Sequence, residues 1–262
     1  MLSAISRVIE CDLPVLADMP PVSLEEMSAV SLMNRTDTKF VTTADKLALL
    51  LADAEHEGYR VLEIEGMRLL GYESVYYDTD NLEMFTAHRN RKLFRKKVRV
   101  RTYKSSGLTF LEIKRKNNHG RTKKKRITIP QDNILEFTKA PGAEDFICRH
   151  TQWKPEILTP ETTTDFDRIT IVNQELTERI TIDLNLRFYN FRSQKTADLA
   201  KLAIIEVKQD GLKRSVFKDI LLKYRIFPFR LSKYCIAVSL TDPSARIGRF
   251  KEKIRHIEKL IS

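Results

Sequence analysis

Between Arg89 and Arg126 the chain carries seventeen lysines and arginines and a single acid, Glu112. Few folds can place that many like charges side by side, so this stretch constrains the rest of the molecule. It is not written as a solvated tail. Lys97-Val98-Arg99-Val100-Arg101 alternates charge and aliphatic residue, the period of a β-strand. Phe110-Leu111-Glu112-Ile113-Lys114 continues the alternation, with Glu112 and Lys114 opposite Leu111 and Ile113. In Lys124-Lys125-Arg126-Ile127-Thr128-Ile129, Lys124, Arg126 and Thr128 share one face. A disordered basic arm has no reason to interleave Val, Leu and Ile with its charges. The stretch predicts strands that each have one cationic face.

The same writing recurs elsewhere. Arg35, Asp37 and Lys39 share parity. So do Arg168 and Thr170, then Arg179, Thr181, Asp183 and Asn185, then Glu206 and Lys208. Tyr72 to Asp78 is an aromatic-rich strand that ends in a turn at Asp78-Thr79-Asp80-Asn81. Helices are expected where caps precede apolar spacing. Ser23 and Glu26 have capping-box spacing, with Leu24, Met27, Leu32 and Met33 as contacts. Thr42 or Thr43 caps a helix from about Ala44 to Glu57 that stops at Gly58. Ser215 to Lys223 and Asp242-Pro243 to Leu260 have helical spacing.

A formal net charge of +11 over 262 residues implies a polyanionic partner. Three scattered cysteines, Cys11, Cys148 and Cys235, suggest neither a disulfide framework nor a zinc site. With no apolar run of membrane-spanning length and no signal-like start, a cytoplasmic location is expected. An ordinary antiparallel sheet would turn its charges to water. So many cations on neighbouring strands would repel one another there. A closed antiparallel barrel with a polar, basic bore, helices outside and an anion inside relieves that repulsion. The expected class is α+β.

Five segments then carry a resemblance. They are Arg35-Thr36-Asp37-Thr38-Lys39-Phe40, Lys97 to Arg101, Leu111-Glu112-Ile113-Lys114, Ile204-Ile205-Glu206-Val207-Lys208 and Ser232-Lys233-Tyr234. In this order they resemble the vacuolar transporter chaperone (VTC) domain, the polyphosphate polymerase branch of the triphosphate tunnel metalloenzymes, also called CYTH-like. The likeness runs from about Ser23 to Val238. It implies an eight-stranded tunnel in which basic residues grip polyphosphate and acidic residues hold Mn²⁺ or Mg²⁺. Residues 1–22 are then a lead-in, and 23–262 are one tunnel domain that includes the C-terminal helix.

By that resemblance Lys39, Arg99, Arg101, Lys114 and Arg168 form the catalytic set. Arg179 and Lys233 bind phosphate, as do Lys124 and Arg126, whose register within the lysine run stays open. Parity adds Arg35 and Lys208 to the phosphate-binding group. Glu206 matches the metal-binding glutamate, and Glu112 or Asp183 could complete the ligand set, since hard divalent ions prefer carboxylate oxygen. Asp37 stands where many relatives have Glu. No Ser-His or Cys-His arrangement is legible, and His88 reads as a surface residue.

Phosphoryl transfer depends on positioning and charge neutralisation, which arginines and lysines supply. The expected function is transfer of the ATP γ-phosphate to a growing polyphosphate chain. A triphosphate hydrolase of the same fold and a non-catalytic polyphosphate or inositol phosphate binder stay open. ATP and polyphosphate are the expected partners, and nucleic acid is not. A membrane protein that holds the chain at the inner face of a membrane stays open, as does oligomeric state. Removing Arg99, Arg101 or Lys114 is expected to spare folding.

Overall fold

A computed structural model of the chain describes residues 12–28, 35–118, 122–211 and 213–262. In chain order the elements are α1 (Val15–Asp18), β1 (Pro21–Val22), α2 (Leu24–Ser28), β2 (Arg35–Thr43), α3 (Ala44–His56), β3 (Arg60–Leu62), β4 (Leu70–Asp78), α4 (Glu83–Arg89), β5 (Arg95–Tyr103), β6 (Thr109–Lys116), β7 (Thr122–Ile129), α5 (Ala143–His150), β8 (Thr159–Val172), β9 (Glu178–Asn190), β10 (Thr196–Leu199), β11 (Leu202–Asp210), α6 (Val216–Lys223), α7 (Lys233–Thr241) and α8 (Lys251–Ile261).

The caps that the sequence announces are made. Thr43 Oγ1 accepts from Lys46 N at 3.4 Å and starts α3, whose Leu47, Leu50, Leu51 and Ala54 are buried at helical spacing. Ser23 and Glu26 form the reciprocal capping box, at 2.8 and 3.1 Å. Leu32 and Met33, expected to pack beside them, lie outside the described residues. Ser215 caps α6. Within the 1–22 stretch, Leu13, Leu16 and Met19 are buried in the core beneath α3.

Eight strands pair in the order β2-β11-β9-β8-β4-β5-β6-β7, every neighbour antiparallel. The architecture is α+β, as expected, but the barrel is not closed. Among the described residues no ladder joins β7 to β2. Both edges carry cations, Lys123, Lys124, Lys125 and Arg126 on β7 and Lys39 on β2. The β2 edge is met instead by the Pro228-Phe229 segment, where Phe229 N donates to Lys39 O at 2.6 Å and Pro228 bridges Phe40, so the sheet stays an open, curled trough.

The outer face is apolar. Ile169, Ile171, Ile180, Ile182, Ile205 and Val207 pack under α3 and α6. Val98, Val100, Leu111 and Ile113 pack under α4 and α5. Each aliphatic row found in the sequence is thus covered by helix.

Two expectations are corrected. The stretch from Asp242-Pro243 does not begin a helix. Asp242 ends α7, its Oδ1 accepts from Ser244 N and Oγ at 2.8 and 2.6 Å, and α8 starts only at Lys251. Helix α7 itself gave no amphipathic signal, because Tyr234 to Val238 are buried without a break.

Asn185 also leaves the face of Arg179, Thr181 and Asp183. It adopts φ +53° at a bulge where β9 spends one residue more than β8, and its Nδ2 donates to Asp167 Oδ2 at 2.8 Å. Beyond it the parity of β9 reverses, so Leu186 and Phe188 meet Phe166 on the inner face. The bulge therefore decides where the trough stops being charged. Asn185→Val, a β-branched residue forced to positive φ, should lower stability by about 1–3 kcal/mol, read from urea unfolding. An unchanged midpoint would show that the bulge does not depend on Asn.

Candidate functional site

Opposed residues of an antiparallel pair point to the same side, so the registers place each predicted cation. Lys39 lies opposite Glu206, and Glu206 opposite Thr181. Two residues on, Asp183 opposes Arg168, which opposes Leu70. Along β4, Tyr72, Ser74 and Tyr76 follow Leu70 on that face, and Ser74 and Tyr76 oppose Arg101 and Arg99. Arg99 opposes Glu112, and Glu112 opposes Arg126. Lys97 opposes Lys114, and Lys114 opposes Lys124. Lys208 joins the same side opposite Arg179. One concave face thus collects every predicted strand residue. Of Arg35 only its strand position, opposite Asp210, is described.

Burial separates these residues. Arg99, Arg101, Glu112, Asp183 and Lys208 are all under 10 % exposed. Lys124 and Arg126 are exposed at the β7 rim, where Arg126 lies over the Phe110 ring at 4.4 Å. Curvature brings distant strands together. Lys114 of β6 is influenced by Glu206 of β11, although four strands separate them along the sheet.

The three predicted metal carboxylates are each held by two cations. Glu112 accepts a fork from Arg99, with Nε at 2.7 Å, and an ion pair from Lys124 at 3.1 Å. Asp183 is forked by Arg168 at 2.5 and 2.9 Å and faces Lys233 at 2.8 Å. Glu206 pairs with Lys39, and with Lys208 at 3.0 Å. Burial raises the pKa of all three, but the flanking cations outweigh it and hold them well below the carboxylate range. Among the described residues no three Asp, Glu, His or Cys side chains converge as a metal cage.

Arg101 donates Nε to Ser74 Oγ at 3.0 Å and forms no ion pair with a carboxylate among the described residues. Burial, with Arg99 and Arg168 nearby, depresses its pKa to about 10. Lys114 likewise has no ion pair among the described residues. Arg99, then burial and Arg101, push its pKa well down. Lys233 is pushed down by burial and Arg168 against the pull of Asp183.

Several contributors were not singled out in the sequence. Tyr72 and Phe166 stack at 5.4 Å, and the guanidiniums of Arg101 and Arg168 lie over both rings at 5.0–5.6 Å. Tyr76 Oη accepts from Arg99 at 3.3 Å. The shared parity of Tyr72, Ser74 and Tyr76 could have shown them. Helix α7 closes one end of the trough. Ser232 accepts from Lys97 Nζ at 2.6 Å, Tyr234 stacks on Tyr76, and Ile236 and Ala237 meet Phe166, Leu186 and Phe188. His88, which reads in the sequence as a surface residue, is half-buried. It stacks on Phe250, and burial followed by Lys97 and Arg95 lowers its pKa to about 2.

The trough is a basic surface, and Lys208 would report an anion bound to it. Burial, with Arg168 and Arg179 nearby, lowers its pKa to about 8 despite Glu206. A bound polyanion stabilises the ammonium, so the complex keeps a proton that the free protein loses as pH rises through that value. Tripolyphosphate binding near pH 8–9 should therefore take up protons and weaken as pH rises from about 8 toward the ordinary lysine range near 10. Calorimetry in buffers of different ionisation enthalpy measures this. Buffer-independent heats would contradict it.

Solved structures share the fold at low sequence identity. A candidate adenylate cyclase from Bacillus halodurans superposes with TM-score 0.51 at 15 % identity, over 83 % of this chain and 99 % of that one. A Hippeastrum protein, described as a candidate adenylyl cyclase with a dominant triphosphatase activity, gives 0.50 at 13 % identity, over 80 % and 97 %. These likenesses concern the fold. No curated protein matches the chain in sequence. The family model described as the VTC domain matches residues 34–241, most of the chain and the whole path of strands from β2 to α7 that builds the trough. The chain belongs to the VTC domain family.

Proposed function

We propose that the chain is a polyphosphate polymerase. A terminal phosphate oxygen of a growing chain attacks the γ-phosphate of ATP, the bond to the β-phosphate oxygen breaks, and ADP leaves. The observation that carries this reading is the row of cations along one concave face, from Lys39 through Arg168, Arg101 and Arg99 to Lys114 and Lys124, with carboxylates too few to neutralise it. Membership of the VTC domain family supports it. Arg101 and Lys114, which pair with no carboxylate among the described residues, are assigned to the transferring phosphate. Arg99 and Arg168, held by Glu112 and Asp183, would flank it. Lys208, Lys233, Arg179, Arg35, Lys124 and Arg126 would extend the grip along the chain.

Hydrolysis would need a base to activate water. Glu112, Asp183 and Glu206 are held ionised by cations that occupy their oxygens, which makes them poor bases. A phosphate oxygen is already a nucleophile and needs no protein base.

A Mn²⁺ or Mg²⁺ ion would be held at Glu206 only by displacing Lys39 and Lys208, one from each carboxylate oxygen. Those partners are two lysines rather than an arginine fork, and such ions commonly take one or two carboxylates with phosphate oxygens completing the shell. The ion would supply further neutralisation of phosphate charge. Asp183 and Glu112, gripped by arginines, have their oxygens committed to holding the cations in place.

Two outcomes test this. Arg101→Ala should lower turnover at least about tenfold, the loss of one charge-assisted contact, without lowering thermal stability. Arg99→Ala behaves differently from the expectation drawn from sequence. It strips the fork from Glu112, which is 1 % exposed, and should cost about 3–5 kcal/mol of folding stability. Full activity in Arg101→Ala would place the reaction elsewhere. Products identify the reaction. Incubation with ATP and Mn²⁺ or Mg²⁺ should yield ADP and a ladder of acid-labile chains with little orthophosphate. Orthophosphate equal to ADP, with no chain growth, would make the protein a hydrolase. Binding without turnover would make it a carrier.

A further inference from the structure

Of the large apolar side chains exposed in the described residues, only Leu93 and Phe94 are consecutive, and they are 61 % and 64 % exposed. They sit on the short connection from α4 to β5, and this connection is a built turn. Arg91 takes φ +56°, its N donates to His88 O at 3.1 Å, and Lys92 N donates to Ala87 O at 3.0 Å. That is a Schellman ending in which an arginine fills the position glycine favours. Arg95 Nη1 then bonds Lys92 O at 2.8 Å and fixes the far side of the loop. The chain accepts an unfavourable backbone angle and leaves two large apolar residues in water.

Cations surround the pair. The β5–β6 register puts Arg95 opposite Lys116 on the concave face, and Lys96 opposite Arg115 on the outer one. Arg115 in turn opposes Lys123. Arg230 and Lys253 approach the same end, since Arg230 depresses the pKa values of Arg95, Lys116 and Lys253, in each case after burial. No ion pair joins Arg91, Lys92, Arg95, Lys96, Arg115, Lys116, Lys123, Arg230 or Lys253 to a carboxylate among the described residues. Two side chains are far too little surface for a stable protein interface. Hydrocarbon needs only insertion, and anionic headgroups would neutralise the ring of charge.

We propose that the Leu93-Phe94 turn is a lipid-insertion wedge by which the chain docks directly on an anionic phospholipid bilayer. This rests on the surface alone and is independent of the reaction in the trough. Docking would hold the Arg95 and Lys116 end of the sheet next to the membrane.

The test is sedimentation of the whole chain with vesicles of phosphatidylcholine alone or mixed with phosphatidylserine. Binding is expected on the mixed vesicles, weaker with salt, and at least about tenfold weaker for Leu93→Ser/Phe94→Ser. Both positions are exposed, so unfolding curves should not change. A Phe94→Trp reporter should be quenched by brominated lipid. Arg101→Ala should bind like the parent. Failure of the parent to sediment, or sedimentation of the double variant to the same extent, overturns the proposal. So does loss of binding in Arg101→Ala, which would assign the lipid to the trough. A dimer that light scattering shows to be broken by the double substitution, without vesicle binding, would assign the face to a second copy and also overturn it.

Discussion

Cations buried on the inside of a curled sheet are the constraint on which this structure depends. Moving one ion out of water costs several kcal/mol even after relaxation, and like charges on adjacent strands add repulsion. Three carboxylates make the arrangement tolerable, each shared between two cations from different elements. Glu112 joins β5 to β7, Asp183 joins β8 to α7, and Glu206 joins β2 to its own strand. Stacked Tyr72 and Phe166 offer their ring faces to the guanidiniums that remain. The neutralisation is incomplete, and under the proposed function the excess charge is what a phosphate chain would meet.

The rest of the fold serves that incomplete neutralisation. The outer face is covered by helices, so the sheet cannot escape its charges by turning them to solvent. One end of the trough is apolar and stoppered by α7 and α8, through Ile236, Ala237, Ile254 and Ile257. Helix α7 is anchored twice. Tyr234 donates to Asp78, a residue 156 positions away that also accepts Met84 N and Phe85 N at the start of α4. Ser232 receives Lys97. The stopper and the cationic wall are therefore one mechanical unit.

A trough also suits the proposed chemistry better than a pocket does. A chain substrate needs contacts that repeat along its length, and strands deliver a side chain to one face every second residue. The β7 rim is solvated, and there Lys124 and Arg126 keep their charge exposed.

What the sequence determined by itself is local. Alternation in Lys97 to Arg101, in Leu111 to Lys114 and in Ile204 to Lys208 specified which residues share a face, and the caps at Ser23, Thr43 and Ser215 located three helices. These signals need only neighbouring residues, so they are legible without a fold. Tertiary structure decided the rest. Whether the charged face is concave follows from helices packing on its reverse, and the β2 edge meets the Pro228-Phe229 segment, about 190 residues further along the chain, rather than β7. Which carboxylate takes which cation depends on partners up to 167 residues apart in sequence. The bulge at Asn185 breaks the parity rule because φ is set by pairing with β8, not by the sequence of β9. Helix α7, apolar on all sides, had no periodicity to read, because its signal lies in the core that surrounds it.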